Sequence, residues 1–167
     1  MFRTMRRVRR ELPFEECEEM LARNTSGVLA TVGCEGYPYA VPLSYVYIPA
    51  DEGVEGLGTL MFHCGRKGHK IDALRCDPHV SFCVIDRDDV APAEFATHYK
   101  SVVAFERARF VEDSDEKRCL LTALGEKYSP GMVAETQAEI DAFWQATCVV
   151  AIEIDHISGK QAKALAS

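Results

Sequence analysis

Thr59-Leu-Met-Phe62-His63-Cys64-Gly65-Arg66-Lys67-Gly68-His69-Lys70-Ile71-Asp-Ala-Leu74 is the stretch on which the reading of this chain turns. Its first four residues form an apolar run suited to a buried strand, and its last four read as the first turns of a helix from about His69 to Cys76. Two glycines stand between them. Such a junction leaves backbone N–H groups free at the helix start and gathers Arg66, Lys67, His69 and Lys70 around them. An anion, most simply a phosphate, is stabilised there by the helix dipole and by side-chain charge. The bland alternative is a solvated basic loop.

Upstream, Gly27-Val-Leu-Ala-Thr-Val32 is rich in β-branched and small apolar residues, and Gly33-Cys-Glu-Gly36 supplies turn chemistry. The next segment, Tyr37 to Ile48, alternates through Tyr39, Val41, Leu43, Tyr45 and Tyr47, so the two segments read as a hairpin. Pro42 cannot donate to a ladder, and so implies an edge, a bulge or a ligand lying alongside. Pro13 with Glu15, Glu16, Glu18 and Glu19 opens a helix that runs to about Arg23.

Downstream, His79 to Ile85 is a strand, Asp86 to Phe95 a polar connection, and Tyr99 to Val111 a long strand with one wet face. Asp113 caps a helix reaching about Lys127, a further helix covers Glu135 to Trp144, and Cys148 to Ile154 is the last strand. These six strands with inserted helices lack strict β-α alternation. They suit a mainly β chain: a six-stranded antiparallel barrel with peripheral α-helices, in which closure removes exposed edges.

At 167 residues, 47% of them hydrophobic, the chain forms one domain over 1–167, with a basic N-terminal arm at 1–12 and a polar tail at 156–167. No stretch approaches the roughly 18 apolar residues of a membrane span, and no apolar segment follows the N-terminal arginines as a secretory signal requires. The expectation is a soluble cytoplasmic protein. Seven cysteines, an odd number without compact spacing, argue against a secreted disulfide scaffold. Net charge is −7, and without Arg3, Arg6, Arg7, Arg9 and Arg10 the remainder holds 14 basic against 26 acidic residues. A body that acidic repels nucleic acid. The arginine arm is expected to fold back onto acidic surface of its own or a partner subunit.

Three chemistries compete with the phosphate site. His63, Cys64, His69, Cys76, His79 and Cys83 crowd a short stretch, and Cys76-x2-His79-x3-Cys83 has metal-ligand spacing, though free cysteine is commonly a buried small hydrophobe. Cys64, beside His63, Arg66 and Lys67, is the best nucleophile candidate, but neighbours in a strand face opposite ways. Tyr37, Tyr39, Tyr45 and Tyr47 either pack the barrel or line a flat aromatic ligand.

Taken in order, Met5-Arg-Arg, Gly27-Val-Leu-Ala-Thr31, Gly36-Tyr-Pro-Tyr-Ala-Val-Pro-Leu-Ser-Tyr45, Phe62-His63 with Gly68-His-Lys70, Tyr99-Lys-Ser-Val102 and Ser158-Gly-Lys160 resemble the pyridoxamine 5′-phosphate oxidase-like flavoproteins, and within them the nitroimidazole-reductase branch. The resemblance implies a Greek-key split β-barrel that forms a homodimer and binds FMN in clefts at the subunit interface. It places Val41, Pro42, Leu43 and Ser44 along the isoalloxazine and ribityl chain, His69 and Lys70 at the phosphate, and Phe62, His63 and Cys64 on the adjoining strand. Ser101 and Val102 would come from the partner, and His63 would stand beside flavin and substrate as the catalytic residue. The oxidase proper has a lysine where Ser44 stands and an Arg-x-His pair near the last strand, so vitamin B6 oxidation is disfavoured. Glu106 replaces a glycine common in the reductase branch, a change at the interface or at the surface.

The implied activity is that of an oxidoreductase passing electrons from reduced FMN to a small flat acceptor such as a nitroimidazole, with neither nucleic acid nor membrane as a partner. The alternatives are a flavin-binding redox sensor without turnover, and a haem- or metal-binding barrel using His63 or the Cys/His cluster.

Overall fold

The structure, a computed structural model, describes residues 2–33, 36–51, 53 and 56–166. Part of the turn at Gly33–Gly36, Cys34 and Glu35, lies outside the described residues. The elements in chain order are β1 (Glu11–Leu12), α1 (Phe14–Arg23), β2 (Ser26–Val32), β3 (Pro38–Ser44), β4 (Val46–Ile48), β5 (Thr59–Gly65) and α2 (His69–Cys76). They continue as β6 (His79–Ala91), β7 (Ala96–Phe110), α3 (Ser114–Tyr128), α4 (Val133–Phe143) and β8 (Thr147–Gln161). The six expected strands thus become eight: Tyr37 to Ile48 divides at Tyr45, and Glu11–Leu12 adds a short strand against β8.

The sheet runs in the order β3-β2-β6-β7-β8-β5-β4, with every neighbouring pair antiparallel. Its two end strands, β3 and β4, are consecutive in the chain and separated only by Tyr45. The sheet must therefore curl until its ends meet at one residue, without a ladder between them, which makes a split barrel. Tyr45 is fully buried and its hydroxyl donates to the Leu21 carbonyl at 2.8 Å. The Tyr128 hydroxyl, at the end of α3, accepts from the Tyr45 N–H at 3.1 Å and lies 3.0 Å from the Tyr45 carbonyl.

Leu29, Leu60, Phe62, Phe82, Val102 and Ile152 meet inside the barrel, and Cys17, Met20 and Leu21 of α1 join the same cluster. A second cluster lies outside, where Met61, Val149 and Ala151 pack under Leu121 and Leu124 of α3 and Ile140 of α4. Strands β5 and β8 are therefore buried on both faces, which explains why they read as unbroken apolar runs. Each fully buried Leu or Phe contributes about 1.5–3 kcal/mol of transfer free energy. The two outer helices come close because residue 125 is glycine: a Cβ there would lie 2.3 Å from Thr136 Cγ2.

Two bulges set the curvature. In β6 the register slips between Ile85 and Arg87, leaving Asp86 as the extra residue. Its carboxylate accepts from Arg23 Nε and Nη2 at 2.8 and 2.6 Å and from Asn24 Nδ2 at 2.8 Å, tying the end of α1 to the sheet. In β8 the extra residue is Asp155, opposite Phe105 and Glu106. Glu106 is 5% exposed, and its carboxylate accepts from the Arg107 N–H at 3.1 Å and from the Asp155 N–H. It is a bulge-filling group within this chain rather than a surface substitution.

Two further expectations are corrected, and the basic arm is seen within this chain alone. Asp86 to Phe95 is not a loop, since β6 and β7 run on as a ribbon turned by Pro92–Glu94. Residues 156–161 of the expected tail are strand, continuing β8 beyond its bulge. The basic arm folds back through an aromatic contact, Phe2 stacked on His156 at 4.6 Å, and through β1. Among the described residues no ion pair joins its arginines to the acidic body.

Candidate functional site

β3 is an end strand, so the N–H that Pro42 lacks is not needed on the open side, and Pro42 pairs opposite Val28 on the other. Along it Val41 and Leu43 pack against the barrel interior, while Pro42 and Ser44 are exposed. In β5 Phe62 is wholly buried in the core, His63 points the other way and is exposed, and Cys64 returns to the inner face half-buried. Phe62 can offer a ligand only its backbone.

The junction after β5 forms as the glycines require. Gly68 caps α2 with φ +126°, in the region that favours glycine, and its carbonyl accepts from the Ile71 and Asp72 N–H groups at 2.9 and 3.1 Å. The N–H groups of His69 and Lys70 belong to the first turn, which has no intrahelical acceptor for them. Tyr39 of β3 stacks on the His69 ring, centroids 4.1 Å apart. Arg66 turns away and donates to the Gln145 carbonyl at 3.1 Å, while Lys67 is exposed.

Lys70 is close enough to act electrostatically on both His63 and Cys64. Although the residue keeps access to solvent, partial desolvation by the surrounding walls, and then the Lys70 ammonium, pull His63 below its ordinary 6.5. Burial and the neighbouring Cys148 push the Cys64 thiol up to about 11, against the pull of Lys70, so only a small fraction of it is thiolate at neutral pH.

Ser44, His63 and Cys64 open onto a cavity of about 720 Å³ whose other walls belong to α3, α4 and the segment leading into β8. Leu124, Tyr128, Ile140 and Phe143 make that side largely apolar, and Glu135 and Glu139 place carboxylates on it. None of these helix residues is a candidate from sequence.

Ser101 and Val102 are not part of this wall: they lie on β7, with Ser101 half-buried and Val102 wholly buried in the core. Among the described residues no three His, Cys, Asp or Glu side chains converge as a metal site, so the Cys76-x2-His79-x3-Cys83 spacing does not produce one. His79 instead sits at the surface with Nδ1 2.6 Å from Asp77.

The chain matches the pyridoxamine 5′-phosphate oxidase family over residues 13–161 and belongs to that family. No curated protein matches it. Among solved structures it is similar to a candidate 5-nitroimidazole antibiotic resistance protein from Bacteroides thetaiotaomicron (19% identity, 90% of this chain and 86% of that one, TM-score 0.72). It is also similar to an FAD-binding protein from Mesorhizobium loti (26%, 92% and 98%, TM-score 0.60) and to an FAD and heme binding protein from Mycobacterium smegmatis (24%, 89% and 71%, TM-score 0.72). These likenesses agree with the split barrel. No described helix is long and apolar enough to cross a membrane.

Proposed function

We propose that this chain is an FMN-dependent oxidoreductase that works as a homodimer and passes electrons from reduced FMN to a small flat acceptor such as a nitroimidazole. The observation that carries the reading is the convergence of an open β3 edge, His63 and Cys64 of β5 and the first turn of α2, where Lys70 lies near enough to act on His63 and Cys64 and the Tyr39–His69 stack joins β3 to α2. Family membership and the FAD-binding neighbour support a flavin.

His69 and Lys70, with the amides of their turn, fit a phosphate in charge and in geometry. The backbone of Val41, Pro42, Leu43 and Ser44 offers an unladdered edge to a flat ring system and its polyol chain. Bound flavin supplies the electron chemistry, and the protein supplies binding and orientation. His63 faces the cavity, where it holds a hydrogen bond or delivers a proton to the acceptor. In this reading Ser101 and the backbone of Val102 complete the cleft from the partner.

The test is to purify the protein, record its visible spectrum, add FMN, and follow reoxidation of the reduced protein by a nitroimidazole. A yellow protein reoxidised by the nitroimidazole supports the reading. A colourless protein that takes up no FMN overturns it, and a yellow protein inert towards acceptors leaves only the flavin-binding half.

A further inference from the structure

Cys64 and Cys148 are direct partners in the antiparallel register of β5 and β8. Directly opposed residues project from the same face of a sheet. Their Cα separation in antiparallel pairs, roughly 4.5–5.5 Å, lies inside the span that a disulfide bridges. Both are free thiols, both are half-buried, and both pack against the cluster inside the barrel. Cys148 is near enough to act on the Cys64 thiol. Cys64 borders the cavity and Cys148 does not, although both side chains turn to the inner face. The other free cysteines have no such partner: Cys83 faces Val28 and Val103 across its two ladders, Cys17 is buried under Gly159, and Cys119 stands exposed on α3.

We propose that Cys64 and Cys148 are a reversible dithiol–disulfide pair across the β5–β8 ladder at the edge of the cavity, with Cys64 meeting the oxidant and Cys148 resolving it. The oxidant is a small organic disulfide that reaches the half-buried pair at the strand end. The Cys64 thiolate attacks one sulfur of that disulfide, a mixed disulfide forms, and the first small thiolate leaves and takes a proton. The Cys148 thiolate then attacks Cys64 Sγ and expels the second small thiol. Two protein thiols are oxidised to one cystine while one small disulfide is reduced to two thiols. The closed bridge draws Cys64 Sγ toward β8 and staples the strand end beside His63, so the redox state of the pair reshapes the wall of the ligand site. Nothing in this scheme requires a flavin.

The full chain is equilibrated in glutathione buffers of rising oxidised fraction, quenched with acid, alkylated and mapped by peptide mass spectrometry. The expected product joins the Cys64 and Cys148 peptides, is two hydrogens lighter than the dithiol, and is reversed by dithiothreitol. Cys148→Ala should accumulate glutathione on Cys64, whereas Cys64→Ala should leave Cys148 as a thiol under the same conditions, with circular dichroism confirming that each variant is folded. If a variant does not fold, the wild-type map decides alone. Alkylation of both thiols in the most oxidising buffer, or a stable glutathione adduct on Cys64 without the cross-link, overturns the proposal.

Discussion

Tyr39 and His69 lie face to face, ring centroids 4.1 Å apart and planes 13° from parallel. One belongs to the end strand β3 and the other to the first turn of α2, so this contact registers the flat edge of the candidate cleft against its cationic end. Removing it should loosen the spacing between the two ends without touching the core.

That spacing matters most for the phosphate. His69→Ala and Lys70→Ala should each weaken FMN binding by about 10- to 100-fold, the loss expected of a hydrogen bond to a charged group worth roughly 1.5–3 kcal/mol. Titration of flavin fluorescence reads this directly. Riboflavin, which lacks the phosphate, should bind wild type and Lys70→Ala alike, and a matched loss of riboflavin affinity in Lys70→Ala would count against the assignment.

His63→Gln should leave flavin binding within about threefold but slow acceptor reduction by about 100-fold, near the lower end of what a positioned acid or hydrogen-bond donor contributes. Because burial and Lys70 lower its pKa from 6.5, the wild-type rate should rise as pH falls through an inflection below 6.5. The variant should lose that inflection, and its persistence would assign the titration elsewhere.

Glu106 should make the fold more stable in mild acid. Burial is the main cause that raises its pKa from 4.5 to about 7, so between those values the folded chain keeps a proton that the unfolded chain releases. Stability from this group is full below 4.5 and is lost as pH rises through about 7, by at most roughly 3 kcal/mol at 1.36 kcal/mol per unit. Glu106→Gln should flatten that slope in urea unfolding measured at successive pH values.

Asp86 has the opposite sign. The Arg23 hydrogen bond, helped by Asn24, holds its carboxyl below 3.8, so its contribution is present above that pH and lost as acid protonates it. Asp86→Ala should cost about 1–3 kcal/mol at neutral pH, because it leaves a part-buried bulge and the end of α1 without their shared acceptor. A shift of the urea midpoint with an unchanged slope is the expected readout.

Much of this architecture could be read before the structure. Pro13 and the glutamates after it placed α1, the glycines around Arg66 and Lys67 placed the β5–α2 junction, and Asp113 is indeed the cap of α3, accepting from the Glu116 N–H at 2.8 Å. Each misreading has its own cause. Asp86, Asp88, Asp89 and Pro92 look like a loop because the outer half of the β6–β7 ribbon has water on both sides and needs no apolar alternation. The bulge at Asp155 breaks the period-two pattern, so the strand beyond it resembles a tail. The cavity was invisible because a leucine on an inner helix face reads as core whether it meets another side chain or a space. The burial of Phe62 and Val102 was likewise illegible, since the resemblance marks positions along a strand and not which of their atoms face a ligand.

Finally, the join at Tyr45 bears on how this barrel breathes. Everywhere else along the sheet, parting two strands breaks a ladder, but between β3 and β4 only the Tyr128 hydroxyl bridges to the main chain of the single linking residue. Local opening should therefore begin at this seam, at a free energy well below that of global unfolding. In native-state hydrogen exchange the amide of Tyr45 should be released before those of β6, β7 and β8, and Tyr128→Phe should speed its release while leaving theirs unchanged.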